Sequence, residues 1–160
     1  MSSVEKDRCW PSLSVHRIRV MREADLDAVL AIERAAYEFP WTAGIFRDCL
    51  RAGHLCRVMY DQWGIFAYAV MSVGAGEAHL LNICVATGRR RRGYAGELLG
   101  VMVRLAQKLG GDTLFLEVRP SNAAARRLYA ALDFNEVGYR LNYYPARRGR
   151  EDAIILAKHI

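Results

Sequence analysis

From Val15 the chain alternates apolar and polar residues through VHRIRVM to Met21, the two-residue period of a strand buried on one face. Leu26, Val29, Leu30 and Ala36 then recur at helical spacing after Asp25, which predicts a helix from about Ala24 to Glu38. Pro40 stops it, because proline lacks the amide donor a continuing helix needs. Thr42 can cap a second helix that ends near Gly53. Three strands follow in quick succession, Leu55 to Tyr60, Ile65 to Val73 and Ala78 to Val85, separated by a turn through Asp61 and Gly64 and by a Gly-Ala-Gly turn. Turns this short join antiparallel neighbours, so this stretch is a meander.

The period changes again beyond the GRRRRG stretch at 88–93. Leu98, Met102, Leu105 and Leu109 mark a helix that starts near Tyr94 and is closed by Gly110-Gly111, and DTLFLEV reads as a buried strand. A strand, helix, strand crossover of this length implies a parallel neighbour or a splayed pair. Ser121 or Asn122 caps a further helix to Leu132, and strands near Glu136 to Tyr144 and Ala153 to Ala157 end the chain. The expected fold is a single α/β (α+β) domain whose central mixed, mostly antiparallel sheet of six to seven strands is flanked by about four helices. Residues 1–14, which mix charge, serine and proline, are expected to form a flexible extension, leaving 15–160 as the domain.

Composition narrows the function. A chain of 160 residues with 52% hydrophobic positions is long enough for one sizeable core. The formal charge of +6 is local, since Arg89 to Arg92 supply four positive charges and removing them leaves +2. Cys9, Cys49, Cys56 and Cys84 stand far apart, with no C-x-x-C pair and no spacing suited to a metal. Reduced thiols, a cytoplasmic setting and no metal are therefore expected, and neither a leader segment nor a membrane span is indicated.

The arginine run lies between a strand and a helix, so unpaired N–H groups of the first helical turn and the positive end of the helix dipole point into the loop. That is the geometry of an anion site. Gly93 and the small Ala95 and Gly96 would let a pyrophosphate approach the backbone. The P-loop pattern does not fit, because Gly93 is followed by Tyr-Ala in place of Lys-Ser/Thr. A solvated basic turn is the other reading of the same residues.

R-x-x-G-x-A from Arg90 to Ala95 resembles the coenzyme A pyrophosphate loop of the GNAT N-acetyltransferases. YEFPW at 37–41, LEVRPSNAAARRLYAALDF at 116–134 and NYYPARRGREDAIILA at 142–157 extend the resemblance, specifically to the ribosomal-protein alanine N-acetyltransferase branch, over nearly everything from Val15 onward. Two departures stand out: Ala86-Thr87 replaces the family's Asp-Pro, and Asp133 replaces its glycine before Phe134, at a left-handed turn where Asp is tolerated. The resemblance implies that acetyl-CoA is the cofactor. It implies further that Ile83, Cys84 and Val85 offer a strand edge to the pantetheine amides, that Arg90, Arg91, Arg92, Gly93, Tyr94, Ala95 and Gly96 hold the pyrophosphate, and that Asn122 touches the coenzyme. On pattern alone Asn122 is a helix cap and Cys84 a small buried hydrophobe.

Acetyl transfer from a thioester needs a neutral amine and a proton for the departing thiolate. Glu117 interrupts the apolar strand and shares a face with Phe115 and Arg119; as a bare pattern it is also a strand carboxylate paired with Arg119. Tyr129 falls in a helical stripe with Ala125, Leu128 and Leu132, where a core tyrosine is the plain reading. The resemblance makes Glu117 the base and Tyr129 the acid. It names the N-terminal alanine of small-subunit ribosomal protein eighteen as acceptor, with Phe39, Trp41, Tyr143 and Tyr144 near the peptide groove. No direct nucleic-acid contact is expected, and the protein is expected to be a monomer or weak dimer. Acetylation of small-molecule amines or of other protein N-termini is the nearer alternative. An inactive ribosome- or RNA-binding module using Arg89 to Arg92 with Arg147, Arg148 and Arg150 is the other.

Overall fold

The computed structural model describes residues 15–160. The extension expected over residues 1–14 lies outside them. The elements run β1 (Arg17–Val20), α1 (Leu26–Ala36), α2 (Ala43–Arg51), β2 (Leu55–Asp61), β3 (Gly64–Gly74), β4 (Glu77–Val85), α3 (Tyr94–Lys108), β5 (Thr113–Val118), α4 (Ala123–Ala131), β6 (Asn135–Pro145) and β7 (Arg150–His159). Boundaries follow local chemistry. Thr42 Oγ accepts from the Ile45 amide at 3.3 Å and Asn122 Oδ1 from the Ala125 amide at 3.1 Å, fixing the starts of α2 and α4. Asp133 takes the left-handed turn at φ 65°, and the Phe134 amide donates back to Tyr129 O at 3.0 Å. The first strand is shorter than its alternation predicts, and a short 3-10 turn at Glu23–Asp25 precedes α1 because Asp25 accepts from the Arg22 amide and from Arg19.

The strands form one sheet in the order β1-β2-β3-β4-β5-β7-β6. All neighbours are antiparallel except β4 and β5, which pair in parallel from Glu77–Thr113 only as far as Leu80–Leu116. Past that point the two strands diverge. The cause lies in β4: Leu80 pairs with Met71 and Asn82 with Val70, so Leu81 is an extra, bulged residue that bends the strand away from β5. The sequence allowed a parallel neighbour or a splayed pair, and the molecule uses both in succession.

Two apolar layers enclose the sheet. On one face Leu98, Leu99, Met102 and Ala106 of α3 and Tyr129 of α4 pack on Leu114, Leu116, Val118, Ile154 and Leu156. On the other, Val29, Leu30, Phe46 and Cys49 of α1 and α2 pack on Val58, Tyr68, Val70 and Cys84. β6 is an edge strand carrying the exposed Val137, Tyr139 and Leu141, and its register against β7 slips between Glu136 and Gly138 and again between Arg140 and Tyr144.

Arg89, counted from sequence in the basic run but outside the expected pyrophosphate loop, pairs within the fold. Its Nη1 donates to Asp61 Oδ2 at 2.6 Å, and its guanidinium lies over the Phe66 ring at 4.6 Å, tying the arginine loop to the β2–β3 turn. The Asp61 side chain is fully buried, and the Arg89 hydrogen bond holds its carboxyl below the usual range despite the opposing effect of burial. A depressed carboxylate contributes stability that is complete above its unfolded pKa near 3.9 and is lost as pH falls through the lower folded value. Asp61→Asn should therefore cost about 1–3 kcal/mol at neutral pH. It should also reduce the loss of Tm on acidification from about pH 5 to 3. Differential scanning fluorimetry across that range tests both.

Candidate active site

The divergence of β4 and β5 leaves the far edge of residues 83–85 unpaired, while Ala67, Tyr68 and Ala69 of β3 pair with the near edge. Backbone N–H and C=O groups at such an edge can hydrogen-bond an extended amide-bearing chain as a missing strand would. Tyr37 Oη donates to Ile83 O at 3.0 Å, engaging one lone pair of that carbonyl. Cys84 is 6% exposed, and burial pushes its thiol up, which suits a packed side chain and not a nucleophile.

At the end of β4 a 3-10 turn, Thr87–Arg89, leads into α3. Gly93 precedes the helix at φ 80°, and no side chain caps the first-turn amides of Tyr94, Ala95 and Gly96. A Cβ built on Gly93 or Gly96 meets no atom within 4 Å, so crowding by the rest of the chain demands glycine at neither place. Backbone conformation demands it at Gly93 alone. Arg90 Nε donates to Val85 O at 3.1 Å while the residue itself stays exposed, as do Arg91 and Arg92. Asn122 is engaged as the α4 cap.

Glu117 opens into a cavity of about 320 Å³ lined also by Trp41, Ile45, Cys49, Leu80, Leu81, Tyr143 and Tyr144. The α1–α2 loop, α2, the β4 bulge and the β6–β7 hairpin all contribute walls. Three of the four aromatics expected near the acceptor line this cavity. Phe39 does not, and stands at the rim with the Arg119 guanidinium 6.0 Å from its ring. The expected pairing of Glu117 with Arg119 is not made. Arg140 Nε lies 3.2 Å from Glu117 Oε1, while Arg119 Nη1 reaches Glu151 Oε2 at 3.2 Å and Pro145 O at 2.9 Å. The reason is register: Glu117 pairs with Ile155, which faces Gly138 on β6, bringing Arg140 to Glu117 and leaving Arg119 at the hairpin end. Burial, and then the nearby Glu117, pushes the Tyr144 phenol up, so it stays protonated.

Tyr129 belongs to the opposite layer, 6% exposed and edge-on to Phe134 at 5.5 Å. Burial pushes its phenol up to about 12. Arg140, Ile45 and Leu81 went unremarked in the sequence and Cys49 was read only as a reduced thiol; the signal for Ile45 and Cys49 was the amphipathic spacing of α2.

An edge for an extended chain, an uncapped helix start beside it and a carboxylate in a cavity lie together where β4 and β5 part. The sequence profile of the Acetyltransferase (GNAT) family matches residues 21–134, and the chain belongs to that family. It is 40% identical over 143 residues to the ribosomal protein bS18-alanine N-acetyltransferase of Escherichia coli K12, covering 89% of this chain and 97% of that one. The Haemophilus ducreyi protein of the same name is 36% identical over 144 residues, covering 89% of this chain and 99% of its own. The crystal structure of the ribosomal-protein-S18-alanine N-acetyltransferase from Escherichia coli superimposes with a TM-score of 0.84 over 91% of this chain and 94% of that one, at 40% identity.

The two glycines of the loop should separate folding from coenzyme binding. Gly96→Ala replaces a helical glycine where nothing obstructs a Cβ, so it should stabilise the fold by about 0.5–1 kcal/mol. It should weaken acetyl-CoA binding at the same time. Gly93→Val forces a β-branched residue to φ 80° and should lose both, the stability by about 1–2 kcal/mol. Thermal melts and calorimetric titration with acetyl-CoA read the two effects apart.

Proposed function

We propose that this acetyltransferase moves the acetyl group of acetyl-CoA to the free α-amine of an N-terminal alanine, with ribosomal protein bS18 as the acceptor and the cytoplasm as its setting. The observation that carries the reading is the placement of Glu117 in an aromatic-walled cavity beside the point where β4 and β5 part. The acceptor identity rests on the names of the relatives.

The residues present fit the coenzyme. The edge of Ile83, Cys84 and Val85 would take the pantetheine amides. The amides of Tyr94, Ala95 and Gly96, with Gly93 and the exposed Arg91 and Arg92, would hold the pyrophosphate. Arg90 would support the loop through Val85, and Asn122 would border the site from the start of α4. When bound, acetyl-CoA supplies an acetyl group activated as a thioester.

Glu117 accepts a proton from the incoming ammonium, directly or through one water, leaving a neutral nucleophile. An α-amine titrating near 8 asks roughly 3 kcal/mol less of this single carboxylate than a lysine near 10.4. Tyr129 gives a proton to the departing sulfur. Burial holds the phenol well above a thiol's usual value near 8.5, so this transfer is uphill and draws on the free energy of thioester cleavage. Trp41, Tyr143 and Tyr144 hold the first residues of the acceptor, and Phe39 with Arg119 flanks the exit.

Four of the seven cations of the RNA-binding alternative already have partners within the chain. Arg89 is held by Asp61, Arg90 by Val85 O, Arg147 by Glu38 at 2.7 Å, and Arg150 by the carbonyls of Asn142 and Tyr143 at 2.7 and 2.9 Å.

Glu117→Gln keeps the size and removes the proton acceptor, so turnover near neutrality should fall about a hundredfold or more. Much of it should return at high pH, where the amine is already neutral. A pH–rate profile unchanged from wild type would assign Glu117 to structure. Peptides beginning with free alanine should be preferred to the same peptides with a blocked α-amine and an internal lysine, and to free alanine. Mass spectrometry of the product locates the acetyl group, and acetyl chiefly on lysine would refute the acceptor assignment.

A further inference from the structure

Glu33 is a buried carboxylate that this chemistry does not use. It is 1% exposed and shares the inward stripe of α1 with Leu26, Val29 and Leu30, a position where a leucine would pack. No cation pairs with it among the described residues, and burial pushes its carboxyl up. Its oxygens nonetheless make three specific contacts. Oε1 accepts from the Trp41 amide at 2.9 Å, and Oε2 accepts from Asn82 Nδ2 at 3.1 Å and from the Tyr68 hydroxyl.

A carboxylate kept here at the cost of desolvation does something that apolar packing cannot. Trp41 is a wall of the cavity, on the α1–α2 loop. Asn82 immediately follows Leu81, the bulged residue that forms another wall. Among the described residues Glu33 is therefore the one side chain joined by hydrogen bonds both to the loop and to the strand that frame the cavity. The coenzyme edge has its own tie one helical turn later, from Tyr37 Oη to Ile83 O, and this does not pass through Glu33.

We infer that Glu33 is a positioning residue of the acceptor site: it sets the spacing between the Trp41 loop and the Leu81 bulge, and so the placement of the acceptor amine against Glu117. The inference rests on the reading of this cavity as the acceptor site. It separates two substrates that a general loss of structure would affect together.

The test uses Glu33→Ala, Glu33→Gln and the swap Glu33→Gln with Asn82→Asp, which returns a carboxylate to the same hydrogen-bonded pair with donor and acceptor exchanged. Steady-state kinetics with an alanine-starting hexapeptide are set beside calorimetric Kd values for acetyl-CoA. Alkylation of Cys49, which is 8% exposed in the cavity wall, followed peptide by peptide against Cys56, reports the wall without reference to activity. Glu33→Ala should raise the peptide KM about tenfold or more, leave the acetyl-CoA Kd within about twofold, and speed Cys49 alkylation about fivefold relative to Cys56. Glu33→Gln keeps an acceptor for Trp41 and should fall between, and the swap should return KM toward wild type. Should Glu33→Ala not fold, Glu33→Gln and the swap decide. A peptide KM unchanged in Glu33→Gln, or KM and acetyl-CoA Kd rising by the same factor, would overturn the inference. Should the wild type leave every peptide unacetylated, the proposed function fails, and Cys49 alkylation alone decides: faster in the variants supports a wall held by Glu33, and unchanged overturns it.

Discussion

The molecule depends on the loss of one ladder of hydrogen bonds. β4 and β5 start as partners and part after Leu80 and Leu116, and the consequences follow in order. The edge of 83–85 loses its strand partner, and the β5 carboxylate at Glu117 gains a cavity. A sheet gives up pairing energy here for a place where two substrates can meet. Bulging Leu81 is the least disruptive way to do this, because one extra residue bends β4 while its bonds to β3 continue on the other side.

The parted strands are held open by polar groups placed where packing alone would be indifferent. Arg89 and Asp61 fasten the loop after β4 to the β2–β3 turn. Arg119 and Glu151 fasten the end of β5 to the β6–β7 hairpin, and Ser121 donates its backbone amide to the same carboxylate at 3.0 Å. Arg147 crosses to Glu38 at the groove mouth, but its exposure makes that pair the weakest of the set. Both carboxyls sit below the usual range, Asp61 chiefly through Arg89 and Glu151 chiefly through Ser121 with a smaller part from Arg119.

Much of this organisation was legible in the chain. Alternation and helical spacing located every strand and helix, because each element buries one face and the period survives whatever packs on it. The capping role of Thr42 was readable from residue type, and the left-handed turn at Asp133 from the glycine that the family resemblance puts there. The bulge was not, since LLNICV is apolar on both sides of it and its period carries no break. Nor was the Arg140–Glu117 pair, which depends on a register set jointly by β7 and the slips in β6. The arginines of the run differ in the fold because Asp61 stands within reach of only the first. Glu33 did carry a signal that went unremarked: a charged residue on the apolar stripe of α1, which only a set of buried donors makes tolerable.

The slips along β6 have a meaning of their own. This outer strand is long and carries Val137, Tyr139 and Leu141 on its surface, the composition of a template for runaway stacking between molecules. Breaking its register at Val137 and again over Leu141 to Tyr143 leaves no straight row of donors and acceptors for a neighbour to copy. The protein keeps an open strand edge in its interior, where a particular guest is wanted. It spoils the one on its rim, where any passing chain would do.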